Sequence, residues 1–164
     1  MRVCVIDGRG GRLGSRLVAG LRSELGQAHN IVALGTNRVA AAAMKRAGAT
    51  QVGVGPRAIA DTLPTADVIV TSLNLVLPGA MLGEVTPKIV HAILGARATK
   101  VLLPLNRARV EIVGAGAHTL EALITESLSR VRSLFSPVRP TEQVFLGHSC
   151  RQATRVCASR WVGC

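Results

Sequence analysis

The stretch Val3–Gly14, VCVIDGRGGRLG, decides how the rest of the chain is read. An apolar run is followed by four glycines in seven residues and then by an amphipathic segment. That order is strand, tight turn and helix, the opening of a dinucleotide-binding unit. In such a unit Gly8 turns the chain off the strand, Gly10 and Gly11 let backbone approach a pyrophosphate, and Gly14 lets the helix lie close to the sheet. The unpaired N–H groups at the helix start then face the ligand's negative charge. The strict G-x-G-x-x-G spacing is not met, since Leu13 stands after Gly10 where that pattern needs glycine. A G-x-x-x-G-x-G pattern, as in short-chain dehydrogenases, fits Gly8 and Gly14 but has Arg12 at its middle glycine. That arginine either donates to a phosphate or blocks the pocket. Asp7, Gly8, Arg9, Gly10, Gly11, Arg12, Leu13 and Gly14 thus form the first candidate cofactor-binding set. The competing reading is a turn that holds only structure.

Working outward, the apolar spacing predicts a helix from about Gly11 to Leu25, with Leu13, Leu17, Val18, Leu21 and Leu25 on one stripe. Ile31–Leu34 reads as a second strand, with Asn37 as N-cap of a helix over Arg38–Ala47. Thr50–Val54 and Asp67–Ser72 read as strands around a short helix that Pro56 starts. Thr86-Pro87 opens a helix to Leu94, and Lys100–Leu105 is a fifth strand. The alternation predicts an α/β fold with a doubly wound, mostly parallel sheet in three layers. Too few residues separate Leu105 from Val110 for a parallel crossover, so Val110–Val113 is expected as an antiparallel edge strand. A last helix is expected over Thr119–Ser133. The expected domain is therefore 1–133, with 134–164 a disordered basic tail.

Composition narrows the class. A chain of 164 residues suits one domain and can bury a core. Hydrophobic residues make up 48% but aromatics only 2%, so Val, Ile, Leu and Ala must fill that core, as in a parallel sheet. No signal peptide is evident, and the apolar stretch 68–83 is broken by Ser72, Asn74, Pro78 and Gly79. A cytoplasmic protein without a membrane span is expected. The net charge of +11 favours anionic partners. The charges are scattered and no aromatic-rich strand offers base stacking, so nucleic acid is not the expected partner. No C-x-x-C pair marks a zinc site.

The segments IDGRGGRLG at 6–14, ALGTN at 33–37, MLGEVTPK at 81–88 and LPLN at 103–106 occur in that order. With them, residues 1–133 resemble a family of small bacterial proteins of unknown function. The resemblance implies a Rossmann-like fold and assigns no activity. The family's first motif resembles IDGxGGGIG, and Arg12 stands here at one of its glycines.

Ligands of doubly wound sheets lie at the carboxyl ends of the strands. Those ends carry Asp7 with the glycine loop, Thr36, Asn37 and Arg38, the Ser72–Asn74 stretch, and Asn106. Each has a local alternative: Asp7 closing a turn, Asn37 capping, Asn106 turning a hairpin. An NAD site wants an acid after the second strand, yet none occurs between Glu24 and Asp61. Arg38 stands there and suits a 2′-phosphate, so NADP is the expected dinucleotide, with another nucleotide left open. Tyrosine is absent from the chain, which removes the Tyr–Lys pair of short-chain dehydrogenases. Glu84 is the candidate acid or base and Lys88 the candidate anion-binding catalytic residue; the competing reading is a solvated helix start. The functions that follow are an NADP-linked oxidoreductase, its site completed in a homo-oligomer, or a non-catalytic nucleotide sensor acting through a partner. A ligand-free structural module is the third reading.

Overall fold

The computed structural model describes residues 1–105, 112, 116 and 118–135. The chain runs β1 (Arg2–Asp7), α1 (Arg12–Leu25), β2 (Asn30–Gly35), α2 (Arg38–Arg46), β3 (Gln51–Val54) and α3 (Gly55–Thr62). It continues with β4 (Val68–Ser72), α4 (Pro87–Gly95), β5 (Thr99–Leu103) and α5 (Leu120–Phe135). Short 3₁₀ turns occupy Leu63–Thr65 and Leu73–Val76. The sheet order is β3-β2-β1-β4-β5, and every pair in it is parallel.

That order explains the layers. From β1 to β3 the chain steps in one direction across the sheet, so right-handed crossovers keep α1 and α2 on one face. It then returns to the far side of β1, and the same handedness sends α3 and α4 to the opposite face. Helix α5 comes back to the face of α1. Side chains alternate accordingly: Val3 and Val5 of β1 pack with Leu17, Val18 and Leu128, whereas Cys4 and Ile6 pack with Ile59 and Ile89. All four β1 residues are fully buried. Removing a side chain such as Ile6 from water contributes about 1.5–3 kcal/mol. Burial, with a smaller push from Asp67 against the pull of Arg2, raises the Cys4 thiol to about 11, so Cys4 serves as a small apolar residue.

The elements expected within the described residues are present, with shifted ends. Helix α1 starts at Arg12 because Gly11, left-handed at φ 69°, is its N-cap. Helix α5 continues through Phe135, past the expected end at Ser133, and Phe135 meets His29 edge-on with ring centroids 5.2 Å apart. The antiparallel strand expected over Val110–Val113 falls, apart from Ile112, outside the described residues. So does the expected tail from residue 136 onward. Among the described residues, no helix is long and apolar enough to cross a membrane, and no group of metal-ligating side chains gathers.

Candidate functional site

At the carboxyl end of β1, Asp7 is 5% exposed and turns its carboxylate back onto the glycine loop. Its Oδ1 accepts from Gly8 N at 2.8 Å and its Oδ2 from Gly14 N at 2.7 Å. Gly14 lies in the first turn of α1, so the buried carboxylate satisfies a helix N–H that would otherwise be orphaned. Burial raises the Asp7 pKa and Glu84 adds to this; the N–H bonds from Gly14, Gly8 and Leu13 oppose it. Gly10 and Arg12, both exposed, are the loop residues whose N–H groups meet no acceptor among the described residues.

The four glycines differ in what surrounds them. The left-handed turn of the loop falls on Arg9, at φ 51°, and on Gly11. A Cβ on Gly11 would lie 2.8 Å from the Ala40 backbone, so its missing side chain admits α2. A Cβ on Gly14 would come within 2.4 Å of Met44 Sδ and 2.7 Å of Asp7 Cβ, which agrees with the close helix–sheet approach expected. A Cβ on Gly8 would meet Met81 Sδ at 2.7 Å, Thr36 Oγ1 at 2.8 Å and Glu84 Oε2 at 3.0 Å. Gly10 alone in this loop has open space where a side chain would start.

Two other connections close on this loop. After β2, Thr36 N donates to Asp7 O at 3.0 Å, and Asn37 Oδ1 accepts from Ala40 N at 2.9 Å as the N-cap of α2. Asn37 Nδ2 also donates to Arg9 O at 3.0 Å. From the β4–α4 connection comes Glu84. Its Oε2 accepts from Arg9 N at 2.9 Å, from Thr36 Oγ1 at 2.6 Å and from Asn37 Nδ2 at 3.0 Å. Burial works to raise the Glu84 pKa, but the bonds from Arg9, Thr36 and Asn37, with the Arg9 charge, outweigh it and hold the group below its ordinary value. The connection is anchored by buried Val85 and by Gly79 N donating to Val85 O at 2.8 Å. It carries Met81 and Leu82 at φ 56° and 62°, strained for residues with side chains.

On the other side of β1, the register that pairs Ile6 with Thr71 sets Asp7 beside Ser72 on one face of the sheet. This is where the strand order reverses, the place where doubly wound sheets open a crevice. Ser72 Oγ is buried there without a hydrogen-bond partner. Asn74, 7% exposed, makes no side-chain hydrogen bond among the described residues. A buried hydroxyl left so costs about 1–3 kcal/mol.

Asp7, the glycine loop, Thr36, Asn37 and Glu84 are therefore brought together, with Ser72 and Asn74 at the neighbouring strand end. Arg38 is exposed on the first turn of α2. Lys88 and His91 lie on the exposed side of α4, and Lys88 makes no bond with Glu84. Asn106 lies outside the described residues. The acid that the sequence lacks after β2 is present in space, because Glu84 bonds to Thr36 and Asn37 from 48 and 47 residues away. A separate cavity of about 280 Å³ lies between β5 and α5, lined by Val101, Leu103, His118, Ser127 and Arg130.

Residues 2–136 match the family described as Domain of unknown function (DUF3842). The chain belongs to that family. No curated protein matches it. Among solved structures it is similar to a dodecameric FMN-dependent UbiX-like decarboxylase from Escherichia coli O157:H7, at 13% identity and a TM-score of 0.44. That match covers 99% of this chain and 100% of the other. A likeness of that degree assigns no chemistry to this chain.

Proposed function

We propose that the chain binds a nucleotide across the carboxyl ends of β1, β2 and β4. The observation that carries this reading is the meeting of three donors, Arg9 N, Thr36 Oγ1 and Asn37 Nδ2, on one carboxylate oxygen. They come from two different connections and converge beside a glycine loop, at the end of the sheet where nucleotides lie. In this reading the phosphates approach Gly10 and the free N–H groups of Gly10 and Arg12, with the Arg9 and Arg12 side chains supplying positive charge. The ribose faces Thr36 and Asn37.

The binding role suits the site better than the catalytic one. Three hydrogen bonds and a lowered pKa leave Glu84 a weak base, and Lys88 is directed to solvent rather than to Glu84. A sensor that acts through a partner, a second copy of this chain being the simplest, follows from that. An NADP-linked oxidoreductase is the second reading, and exposed Arg38 beside Asn37 is the observation on its side.

The test is calorimetry with AMP, ADP, NAD, NADP and FMN on the full chain and on Gly10→Val. A Cβ at Gly10 meets nothing within 4 Å, so this variant should fold. The expected result is binding of at least one nucleotide, lost in Gly10→Val while circular dichroism stays native. Equal binding by both proteins, or by neither, would overturn the reading.

A further inference from the structure

We infer that Glu84 is the residue that selects the sugar: it accepts hydrogen bonds from an unsubstituted ribose 2′,3′-diol and turns away a 2′-phosphate. The inference rests on the nucleotide-binding reading and names its ligand class, a ribonucleotide with both hydroxyls free. It reverses the preference for NADP expected from Arg38.

Three observations lead there. The first is place. Thr36 directly follows β2, and a carboxylate held by Thr36 and Asn37 stands where a doubly wound fold receives the ribose. The acid reaches that place from the β4–α4 connection. The second is how the carboxylate is held. Oε2 takes all three donors, and Oε1 has no partner among the described residues. One oxygen is a pin, and the other is left to accept. An ionised carboxylate has no proton to donate, so its free oxygen suits a hydroxyl and not a second anion. The third is charge. Thr36 and Asn37, whose side chains pin the carboxylate, are neutral, and the Arg9 charge already acts on Glu84, so a 2′-phosphate at this point would meet a fixed negative charge whose nearby cation is engaged. Arg38 lies on the exposed outer turn of α2 and bonds to no described residue.

The experiment compares NAD with NADP, and AMP with 2′-deoxy-AMP and adenosine 2′,5′-bisphosphate, by calorimetry on the full chain and on Glu84→Gln. Glutamine keeps an oxygen for the donors and removes the charge. The expected result is that NAD and AMP bind at least tenfold more tightly than their 2′-phosphorylated or 2′-deoxy counterparts. Glu84→Gln should shrink the discrimination against 2′-phosphate to within threefold. Thr36→Val, which removes a pinning donor, should shrink it as well if Glu84→Gln does not fold. Tight NADP binding that Arg38→Ala abolishes would overturn the inference and leave the nucleotide reading standing. So would equal binding of NAD and NADP by the parent chain. Failure of every nucleotide to bind would remove both.

Discussion

Asp7 and Gly14 are joined across the glycine loop by a 2.7 Å hydrogen bond from a helix N–H to a buried carboxylate. A second bond, from Gly8 N at 2.8 Å, occupies the other oxygen. The loop is thus shaped from below by the protein's own anion. Asp7→Ala would take the acceptor from Gly8 N and Gly14 N, its two shortest bonds, and a loss of about 2–4 kcal/mol is expected, at about 1–2 kcal/mol for each. A urea titration measures it. A loss under about 0.5 kcal/mol would show that water replaces the carboxylate freely.

The two acids of the site should have opposite signatures in pH. The Asp7 pKa is raised in the fold above its ordinary 3.8, so its stability contribution is full below that value and is lost as pH rises through the folded pKa. The Glu84 pKa is lowered below its ordinary 4.5, so its contribution is present above that value and is lost as pH falls through the folded pKa. Stability measured against pH should therefore lose part of its acid-side decline in Glu84→Gln. In Asp7→Asn the decline with rising pH should be the part that disappears. The same change in both variants would contradict the assignment.

Gly10 and Gly14 should separate cleanly on substitution. Gly14→Ala forces a methyl group to within 2.4 Å of Met44 Sδ and 2.7 Å of Asp7 Cβ, and overpacking of that kind costs about 1–3 kcal/mol. Gly10→Ala enters open space, and a change within about 0.5 kcal/mol is expected. Thermal melts of the two variants decide it, and a Gly10→Ala loss equal to that of Gly14→Ala would refute the contrast.

Ser72 offers a different kind of test. Its buried hydroxyl is unpaired, so Ser72→Ala should hold or raise the stability of the free protein, by up to about 1 kcal/mol. If the crevice beside Asp7 receives a polar group of the nucleotide, the same variant should bind more weakly. A destabilised Ser72→Ala would show that the hydroxyl is already satisfied by water.

The far end of α5 is expected to set the length of the folding unit. Phe135 packs on the core and meets His29 edge-on, so a chain ending at residue 135 should melt as cooperatively as the full chain. A chain ending at Ser133 should lose about 1 kcal/mol or more through the missing aromatic contact. Equal stability of the two truncations would mean that Phe135 contributes nothing.

Local signals made the fold legible. Asn37 announces a helix start by its chemistry alone, and its side chain does accept from Ala40 N. The continuous burial along Val3–Ile6 follows from an unbroken apolar run, and the stripe Leu13, Leu17, Val18, Leu21 from helical periodicity. At Gly11 and Gly8 a glycine announces close approach without saying what approaches. At Gly11 it is α2, and at Gly8 it is Met81, Thr36 and Glu84. Glu84 was legible as a candidate but not as a neighbour of Arg9, since 75 residues of chain separate them and no spacing rule reaches that far. Ser72 gave no sign of its missing partner, because an unpaired hydroxyl exists only once the surrounding side chains have closed over it.

The triple junction at Glu84 Oε2 also bears on motion. The glycine loop, the β2–α2 connection and the β4–α4 connection share one acceptor atom, so none of them can lift away without breaking a bond held by another. Local opening follows cooperative units rather than chain order. These three connections, far apart in the chain, thus form one opening unit, and the frequency with which the site exposes itself to solvent is set by that unit and not by any single loop.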